Sequence, residues 1–581
     1  METVNVKING VNYEVAKGST VLDAAVAAHI DIPTLCYLKG INEIGACRMC
    51  LVEASEGGKP FRMVTACVYP VSEGMEVKTN TPRITHARKL NLELLLSNHN
   101  QDCLSCVRST DCELQKLCRD YGVDSKHFQG VKTESVIDDS SPAIIRDNSK
   151  CILCRRCVAM CKNVQAVSVI GANDRGFDTN IGSAFRANLA ETSCINCGQC
   201  TAVCPTGALY ERDDTDKVSA ALADPSKKVY ICTAPSVRAQ IGECFGYEPG
   251  TDTEGKMIAA LKSLGFDGVF DMNLTADLTI MEEATEFLGR VKNGGVLPMI
   301  TSCSPGWIKY CEHYFPEFTD NLSTCKSPQQ MFGAMVKTYF AEKEGIDPKD
   351  IVFVSAIPCT AKKFEVGREG QAAAGVADVD IAITTREVAR MISHAGINYR
   401  ALEDAKFDNP FEIGSGAGVI FGATGGVMEA ALRTAAEVIE GKPLEKVDFE
   451  DVRGIDGIKF AQYKLGGMDL KVAVASSTGC AKKLLNAVKA GEVDVQFIEI
   501  MACPGGCVNG GGQPHQPASV RNTIDLRAKR AAVLYSADQN MDLRKSHENS
   551  AVKKLYEEYF GEPNSHKAHE VLHTHYIKRG L

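Results

Sequence analysis

The sequence predicts a multidomain α+β protein, and three observations support this fold class. The chain has 581 residues, which exceeds the size that one hydrophobic core usually serves. Most of its 25 cysteines fall within the first 210 residues, in short loops that suit small cysteine-rich domains. Beyond residue 228, apolar strand-like runs alternate with helical patterns, which is typical of α/β layers.

The composition excludes several functional classes. Hydrophobic residues make up 44% and charged residues 24%, as in ordinary globular proteins. The sequence has no apolar run of membrane-spanning length and no signal-peptide pattern at its start, so we expect a cytoplasmic protein without a membrane partner. A net charge of −9 argues against nucleic acid as a partner. Because cytoplasmic thiols stay reduced, the cysteines indicate metal binding or catalysis rather than disulfides.

Residues 1–80 are predicted to form a small β-grasp domain. Alternating residues on both sides of Asn9-Gly10 predict a β-hairpin, and Ser19 is expected to cap a short helix over residues 21–28. Four cysteines follow as a single residue, a close pair and a distant fourth, namely Cys36, Cys47, Cys50 and Cys67. This order resembles a plant-type [2Fe–2S] loop, although ten residues rather than four precede the pair. A zinc site is the alternative.

Residues 81–140 are predicted to hold a [4Fe–4S] cluster with a histidine ligand. A helical pattern over 81–100 ends in the series His99, Cys103, Cys106 and Cys112. Cys118 is a spare thiol that could replace His99, which leaves an all-cysteine site open. An imidazole carries no negative charge, so a cluster ligated by histidine should be easier to reduce than an all-thiolate one.

Residues 141–212 carry a doubled cysteine run with the spacing of bacterial two-cluster ferredoxins. The first run is Cys151, Cys154, Cys157 and Cys161, and the second is Cys194, Cys197, Cys200 and Cys204. In this spacing the fourth cysteine of each run ligates the other cluster. We therefore expect Cys204 to complete the first [4Fe–4S] site and Cys161 to complete the second. A zinc ribbon is the alternative, but it would not need interleaved runs. The charged stretch 211–228 is interpreted as a linker.

Residues 225–515 are predicted to form a large two-lobed α/β domain, followed by a helical segment over 516–581. Buried parallel strands are predicted at 229–234, 296–302, 351–357 and 380–385. Three cysteine segments occur at 301–307, 357–365 and 499–514. Glycines around Cys503 and Cys507 would let the backbone close over a bulky inorganic group, and Lys362 and Lys363 could offset anionic ligands.

These three segments, placed after a series of cluster sites, resemble the signature loops of the [FeFe] hydrogenases, and the resemblance covers essentially the whole chain. It implies an H-cluster, which is a [4Fe–4S] cube joined through a cysteine to a two-iron unit bearing CO, cyanide and a bridging dithiolate amine. By this resemblance Cys359, Cys503 and Cys507 are ligands, Cys507 is the bridge, and Lys362 donates to a cyanide. The resemblance also implies five pocket-lining residues, namely Pro235, Ser236, Gln329, Phe421 and Met501.

The first loop departs from the family pattern. The family usually has Thr-Ser-Cys-Cys-Pro there, with a proton-relaying cysteine followed by a cube ligand, whereas this chain has Cys303 followed by Ser304. A neutral hydroxyl is a poor ligand for such a cube. Either Cys303 ligates and the thiol relay is lost, or Ser304 ligates and Cys303 keeps the relay. In the second loop, Ile357 replaces the usual methionine.

A proton route can be drawn from a helical stretch in which Glu283 and Glu286 are three residues apart and so face nearly the same side. Two acidic residues on one face of a helix are more often solvated surface charges than members of a proton path. The resemblance nevertheless places them, with Ser323 and Arg290, on a path from solvent to Cys303. A buried carboxylate with a raised pKa would suit proton transfer near neutrality.

The resemblance implies the reaction 2H⁺ + 2e⁻ ⇌ H₂, with electrons from ferredoxin or from an NAD(P)H-oxidising partner subunit. Residues 154–167 look closer to catalytic subunits of NAD(P)-linked hydrogenases than to stand-alone enzymes. The chain lacks a glycine-rich nucleotide fingerprint, so NAD(P) and flavin would bind to partners, and maturation proteins would build the two-iron unit. The alternatives are a hydrogen sensor or low-activity relative, and an electron-transfer subunit resembling that of respiratory NADH dehydrogenase.

Overall fold

The computed structural model describes residues 2–123, 127–411, 413–444, 446–455, 457–465 and 467–580. The first 120 residues contain β1 (Thr3–Ile8), β2 (Val11–Ala16), α1 (Val21–Ala27), β3 (Leu51–Ser55), β4 (Arg62–Thr65), β5 (Met75–Lys78), α2 (Pro82–Asn98) and α3 (Glu113–Asp120). Strands β1 to β5 form one sheet in the order β2-β1-β5-β3-β4. The helices α2 and α3 pack on this sheet and on its cysteine loop through a small apolar core that includes Leu35, Met49 and Leu92.

The predicted hairpin is confirmed, since β1 and β2 pair in antiparallel register with Ile8 opposite Val11. The predicted cap of α1 was wrong by one residue. Thr20, not Ser19, is the N-cap, because its hydroxyl accepts from the Asp23 N–H and the Asp23 carboxylate accepts from the Thr20 N–H. Ser19 instead donates its hydroxyl to the Ala16 carbonyl.

The next segment is small and dominated by its cysteine loops. It contains β6 (Ile137–Asp138), β7 (Ile144–Asp147), α4 (Arg156–Ala159), β8 (Gly171–Asn173), β9 (Asn180–Gly182), α5 (Gln199–Val203) and β10 (Leu209–Glu211). Strand β7 pairs with β6 and β10 in a three-stranded sheet, and β8 pairs with β9. The cysteine side chains lie in the hydrophobic core of this segment.

The large C-terminal part is built on two four-stranded sheets. The first sheet has the order β12-β11-β14-β15 and is all parallel, and the second has the order β13-β18-β17-β16 with one antiparallel pair at its edge. Its elements through residue 394 are α6 (Thr215–Ala223), β11 (Lys228–Thr233), α7 (Glu254–Ser263), β12 (Gly268–Asp271), α8 (Asn273–Asn293), β13 (Met299–Ile300), α9 (Pro305–Tyr314), α10 (Pro328–Met335), α11 (Ala341–Glu344), β14 (Ile351–Ala356), α12 (Ala361–Val366), β15 (Ile381–Ile383) and α13 (Thr385–His394). Its remaining elements are α14 (Gly416–Ile420), α15 (Gly426–Glu440), β16 (Ile458–Leu465), β17 (Met468–Ser476), α16 (Thr478–Lys489), β18 (Phe497–Met501), α17 (Ala518–Arg521), α18 (Leu526–Gln539), α19 (Ser550–Leu555) and α20 (His566–Leu572).

All four predicted parallel strands exist, but they divide between the two sheets. Strands β11, β14 and β15 belong to the first sheet, whereas the run predicted at 296–302 forms the two-residue strand β13 in the second. The long helix α8 packs against α10, α14 and α15. The two sheets therefore give the two lobes of one α/β domain.

The interpretation of residues 211–228 as a linker was wrong. The segment contains α6, and two of its acidic residues, Glu211 and Asp214, are held by buried cations of the large domain. Arg386 contacts Glu211 at 2.6 Å, and the Lys363 ammonium contacts Asp214 at 2.6 Å. Two of the charges that suggested exposure are therefore satisfied by buried ion pairs, which join this segment to the large domain.

The C-terminal segment is fastened to the large domain by a buried ion cluster. Arg433 on α15 contacts Glu429 at 2.7 Å and Asp538 on α18 at 2.9 Å, and all three side chains are fully buried. The tail beyond residue 543 is helical in part, through α19, the helical turn that continues it to Phe560, and α20. Among the helices in the described ranges, none is long and apolar enough to cross a bilayer.

We expect Arg433→Met to destabilise the large domain by about 1–3 kcal/mol, because Glu429 and Asp538 would lose their shared buried cation and keep only Arg453 and Arg544, respectively, as partners. Denaturant-induced unfolding of the apoprotein, followed by circular dichroism, measures the change. Lys489→Met is the matched control, since Lys489 is exposed and pairs only at the surface with Glu317. Equal midpoints for the two variants would contradict the assigned role of the cluster.

Candidate iron–sulfur sites and active-site cavity

The four N-terminal cysteines meet in the core of the five-stranded sheet as two close pairs. The Cys50 and Cys67 sulfurs are 3.3 Å apart, and the Cys36 N–H donates to the Cys47 sulfur at 3.4 Å. A hydrogen bond with the Cys36 thiol lowers the pKa of Cys47 to about 6. Two thiolates per iron is the ligand pattern of a [2Fe–2S] cluster, so the donor set fits that group despite the unusual spacing.

The His99 ring is suited to bind a metal in its neutral form. His99 ends α2, is buried, and its Nδ1 has no hydrogen-bond partner among the described residues. Burial, and then the charge of Lys132, lowers the pKa of His99 to about 4, which keeps a lone pair available at neutral pH. Cys118 also lies close to Cys112 and Cys103, whose charges help raise its pKa to about 12. The structure therefore keeps both candidate fourth ligands near the cluster loop.

We expect His99→Cys to make this cluster harder to reduce, lowering its potential by roughly 100 mV, because a thiolate adds negative charge. A redox titration followed by electron paramagnetic resonance measures the shift. Cys118→Ser is the matched control and should leave the potential unchanged. If Cys118→Ser shifts the potential and His99→Cys does not, the fourth ligand is Cys118.

The doubled cysteine run folds into two interleaved sites. One crevice is lined by Cys151, Cys154, Cys157 and Cys204. In the other set, burial raises the pKa of Cys200 well above its ordinary value. The charges of the neighbouring thiols raise it further, in the order Cys197, Cys194 and Cys161. The fourth cysteine of each run thus lies with the first three of the other run. This arrangement fits two [4Fe–4S] cubes.

The two cysteine loops also repeat the same backbone conformation. Leu153 and Arg155 in the first loop have φ values of 54° and 61°, and the matching Asn196 and Gly198 have values of 56° and 66°. Such positive φ values are uncommon for residues other than glycine. They turn the chain so that closely spaced thiols converge, which explains how each C-x2-C-x2-C run presents three ligands to one cube.

The three cysteine segments of the large domain converge at the carboxyl ends of strands from both sheets. Cys359 follows β14, Cys503 and Cys507 follow β18, and Cys303 with Ser304 follows β13. Together they line one cavity. The same cavity is lined by Lys362 and by the five residues expected from the resemblance, Pro235, Ser236, Gln329, Phe421 and Met501. Its lining is largely apolar apart from the thiols, which suits a group that must be shielded from water.

The backbone around Cys507 closes tightly over this cavity only because glycine is present. Gly506 has a φ of 93°, and a Cβ there would lie 2.7 Å from the Thr424 nitrogen. A Cβ on Gly510 would lie 2.1 Å from the Pro358 carbonyl oxygen. The glycines thus bring the Cys507 loop against the Cys359 loop. The convergent thiols and this close approach fit an H-cluster.

Five family models match successive parts of the chain. They are the 2Fe-2S iron-sulfur cluster binding domain (residues 1–82), the NADH-ubiquinone oxidoreductase-G iron-sulfur binding region (88–127), the 4Fe-4S dicluster domain (150–208), the iron only hydrogenase large subunit, C-terminal domain (227–511) and the iron hydrogenase small subunit (524–579). The chain is 49% identical to the NADP-reducing hydrogenase subunit HndD of Solidesulfovibrio fructosivorans over the full length of both proteins. The chain is an [FeFe] hydrogenase.

Other relatives agree with this assignment. The hydrogenase is 43% identical to iron hydrogenase 1 of Clostridium pasteurianum, over 98% of this chain and 99% of that protein. The solved structure of apo [FeFe]-hydrogenase HydA1 from Chlamydomonas reinhardtii matches with a TM-score of 0.57 and 43% identity, covering 64% of this chain and all of that one. The enzyme carries an H-cluster domain and [2Fe–2S] and [4Fe–4S] domains, through which electrons are transferred.

The two lysines that follow Cys359 have different roles in the hydrogenase. The Lys362 ammonium donates to the Cys303 carbonyl at 3.2 Å and to Glu365 at 2.8 Å, and Lys362 lines the cavity. Lys363 points away and pairs with Asp214 and Glu387. Of the two lysines, only Lys362 is placed to donate to an anionic ligand in the cavity. The expectation that Lys363 could offset such ligands was wrong, because Lys363 forms ion pairs with Asp214 and Glu387.

Cys303 and Ser304 face different parts of the cavity. The Ser304 hydroxyl accepts from the Ala502 N–H at 3.3 Å, beside Cys503. Cys303 packs with Phe421 and Met501. Burial raises the pKa of Cys303 well above its ordinary range, and the charge of Glu283 is the next cause. Ser304 therefore lies on the side of the cube ligands, and Cys303 lies on the side of the acidic residue.

The acidic residues expected on the proton path lie close to Ser323 and Arg290. Burial, followed by the charge of Glu286, raises the pKa of Glu283 to about 8. Glu283 contacts Ser323, whose hydroxyl donates to Glu286 at 2.8 Å. Arg290 donates to Glu286 at 2.6 Å near the surface. The structure thus joins Glu283, Ser323, Glu286 and Arg290 by polar contacts, and the charge of Glu283 acts on the Cys303 thiol.

Some residues of the site were missed by sequence reasoning. Cys197, assigned to an accessory cluster, also lines the active-site cavity. Close backbone packing places it there, since a Cβ on Gly511 would lie 2.4 Å from the Cys197 carbonyl oxygen. Glu499 is fully buried, and burial raises its pKa to about 7. The only sequence signal for Glu499 was a lone acid within an apolar strand.

Proposed function

We propose that this hydrogenase is the hydrogen-cycling subunit of an NAD(P)-linked assembly in the cytoplasm. The observation that carries the proposal is the 49% identity to an NADP-reducing hydrogenase subunit across the full length of both chains. The sequence contains no glycine-rich dinucleotide fingerprint after a strand, so the nucleotide and a flavin would bind to partner subunits. Ferredoxin is a second electron partner compatible with the same cluster series.

One experiment tests both the hydrogen-cycling activity of the chain and the location of the nucleotide site on a partner subunit. The matured chain, purified alone, is expected to evolve H₂ from reduced methyl viologen but not from NADPH. NADPH-dependent H₂ evolution should appear only when partner subunits co-purified from the native host are added back. NADPH oxidation by the isolated chain would overturn the assignment of the nucleotide site to a partner.

We infer five units with the boundaries 1–80, 81–140, 141–212, 225–515 and 516–581. The ranges of the matching family models support these boundaries, and so do the separate hydrophobic cores around the N-terminal sheet and the two large sheets. The first three units would hold one [2Fe–2S] and three [4Fe–4S] clusters. Electrons would enter at the N-terminal units and leave the doubled-cluster unit beside Cys197, at the wall of the active-site cavity.

For the H-cluster, we assign ligation to Cys359, Cys503, Cys507 and Ser304, with Cys507 as the bridge. When bound, the H-cluster supplies the iron at which protons and electrons combine into H₂. Lys362 would donate to one of its anionic ligands, and the apolar lining would exclude water. The contact between Ser304 and Ala502, next to Cys503, supports ligation by Ser304 rather than by Cys303.

For proton delivery, we assign the relay to Cys303, Glu283, Ser323 and Glu286. A carboxyl group with a pKa near 8 can both bind and release a proton near neutrality. The Arg290 guanidinium donates to Glu286, so it would position that carboxylate rather than carry protons.

Ser304→Cys tests the ligand assignment and the rival role as a sensor. If Ser304 ligates the cube, the variant should retain H₂ evolution and show an altered electron paramagnetic resonance signal of the reduced cube, because a thiolate replaces a hydroxyl ligand. An unchanged cube signal would instead identify Cys303 as the ligand. Wild-type H₂ evolution near background, beside a highly active Ser304→Cys variant, would favour a hydrogen-sensing or low-activity role.

A further inference from the structure

Helix α9 packs directly against the second cysteine loop of the doubled run. Near the end of the helix, the hydroxyl groups of Tyr314 and Ser193 lie 2.7 Å apart. Near its start, a Cβ on Gly306 would lie 3.7 Å from the Ile195 carbonyl oxygen. The loop residues in these two contacts stand on either side of Cys194 in the chain. Side chains in the middle of α9 are therefore held beside a proposed cluster ligand.

Lys309, in the middle of α9, is a buried cation without an acidic partner. It is 8% exposed, and within the ranges that the structure describes it forms no ion pair with a carboxylate. Its ammonium nitrogen lies 4.5 Å from the centroid of the Phe364 ring. A ring face attracts a cation but does not neutralise its charge. Because a buried charge without a counter-charge is costly, a negative group is expected to face Lys309.

The acid that could have paired with Lys309 is already used. Glu312 follows one helical turn later on α9 and is fully buried. Its carboxylate accepts two hydrogen bonds from Arg368, at 2.7 and 3.0 Å, and one from Arg579 at 2.6 Å. The Ile577 N–H also donates to it, at 3.2 Å. Two guanidinium groups thus share one carboxylate, one of them from the C-terminal tail, and the charge of Lys309 stays unbalanced.

The negative charge that acts most strongly on Lys309 is that of Cys194. Burial lowers the pKa of Lys309, and the charge of Cys194 is the main influence that opposes this change. Burial raises the pKa of Cys194 to about 11, opposed by the Asn196 N–H and then by the charge of Lys309. Asp138 also acts on Cys194, but it is paired with Arg146 at 3.2 Å. The lysine and the thiol are therefore electrostatic partners.

A [4Fe–4S] cube at this loop would supply the missing counter-charge. Four thiolates outweigh the positive charge of the iron–sulfur core, so the cube is an anion, and each reduction adds one more negative charge. A cation beside the cube stabilises the reduced form more than the oxidised form and so raises the reduction potential.

We propose that Lys309 supplies the positive charge that stabilises the reduced form of the second cube, the one expected at Cys161, Cys194, Cys197 and Cys200. The inference rests on that proposed ligand set. One electron arrives from the neighbouring cube of the doubled run and the same electron leaves for the H-cluster, so no bond forms or breaks and no proton moves. Because Cys197 lines the active-site cavity, Lys309 tunes the last electron carrier before the reaction site.

The test is a redox titration of the matured full-length enzyme followed by electron paramagnetic resonance. Lys309→Met should move one [4Fe–4S] component to a lower potential. At a fixed potential its reduced-to-oxidised ratio should fall roughly tenfold, which corresponds to about 59 mV for one electron. Methionine keeps an unbranched side chain over Phe364 and removes the charge. The [2Fe–2S] cluster should keep its potential and serves as an internal reference.

Two further variants distinguish the charge of Lys309 from its packing. Lys309→Arg retains a cation at the same place and should keep the wild-type potential. Lys489→Met removes an exposed lysine of α16 that pairs with Glu317, and it should leave every cluster potential unchanged. An unshifted [4Fe–4S] component in Lys309→Met, or an equal shift in Lys309→Arg, would overturn the proposal.

Arg579→Met keeps the test decisive if Lys309→Met does not assemble its clusters, because the Arg579 side chain is 29% exposed and its loss should not disturb folding. Without this guanidinium, Glu312 keeps its pair with Arg368, and its carboxylate offsets part of the Lys309 charge. The same [4Fe–4S] component should therefore move to a lower potential, by less than in Lys309→Met. An unchanged potential in Arg579→Met would then refute the proposal.

Cys194→Ala separates the role of Lys309 from the ligand set on which it rests. The [4Fe–4S] component that shifts in Lys309→Met should be the one that Cys194→Ala lacks. If Cys194→Ala lacks a component and Lys309→Met shifts none, or shifts a different one, only the role of Lys309 is wrong. If Cys194→Ala keeps all its [4Fe–4S] components, the ligand set is wrong, and the proposal for Lys309 falls with it.

Discussion

Cys507→Ala should reduce H₂ evolution to background. Cys507 lines the cavity together with Cys359 and Cys503, and it is the proposed link between the cube and the two-iron unit. Without its thiolate the two-iron unit would have no covalent attachment to the protein, and a methyl group cannot replace a ligand. Infrared spectroscopy after maturation is the direct measurement, because the bands of iron-bound CO and CN⁻ should disappear along with the activity.

The matched control is Cys480→Ala on α16, since Cys480 lies outside the cavity. It should retain the infrared bands and full turnover. The accessory clusters of Cys507→Ala should still be reduced by dithionite, which would separate loss of the H-cluster from global misfolding. Intact CO and CN⁻ bands in Cys507→Ala would refute the bridging role. Absence of those bands from the matured wild-type enzyme would revive the interpretation as an electron carrier.

Glu283→Gln should slow H₂ evolution by about 10²–10⁴-fold, the usual contribution of one proton-transfer group. Glutamine preserves the size and polarity of the buried side chain but cannot release a proton. The infrared bands of the H-cluster and the reduction of the accessory clusters should remain as in the wild type, because Glu283 is not among the proposed iron ligands. Glu317→Gln, an exposed acid paired with Lys489, is the control and should be fully active.

The raised pKa of Glu283 also predicts a pH-dependent difference in stability between the wild type and Glu283→Gln. Its carboxyl has a higher pKa in the folded chain, about 8, than in an unfolded one. Its contribution to stability is therefore complete below its ordinary pKa and is lost as the pH rises through about 8. Glutamine does not titrate, so the melting temperature of Glu283→Gln should rise relative to wild type as the pH increases from about 6 to about 9. A pH-independent difference would contradict the burial of an ionisable carboxyl.

Local features of the fold could be read from the sequence. The β1–β2 hairpin follows from alternation around Asn9-Gly10, and the ferredoxin-type loops follow from cysteine spacing, because each depends on residues close in the chain. The convergence of Cys359 with Cys503 and Cys507 came from family resemblance and not from spacing. The structure now gives it a physical basis, since the strands that precede these residues end at the same cavity.

Features that depend on distant partners could not be read from the sequence. The stretch 211–228 has the composition of a linker, yet Arg386 and Lys363 convert its charges into buried ion pairs. Ser19 and Thr20 are both acceptable caps, and only the Asp23 contact distinguishes them.

The contribution of Cys197 to the cavity wall has a consequence for how such enzymes can be assembled. The unit that delivers electrons also closes one side of the reaction chamber, with Gly198 against Thr360 and Gly511 against Cys197. Exchanging this unit for an unrelated ferredoxin, or cutting the chain ahead of residue 225, would remove the part of the wall that Cys197 forms in this chain. Chimeric hydrogenases built on this scaffold should therefore keep residues 194–200 together with the catalytic domain.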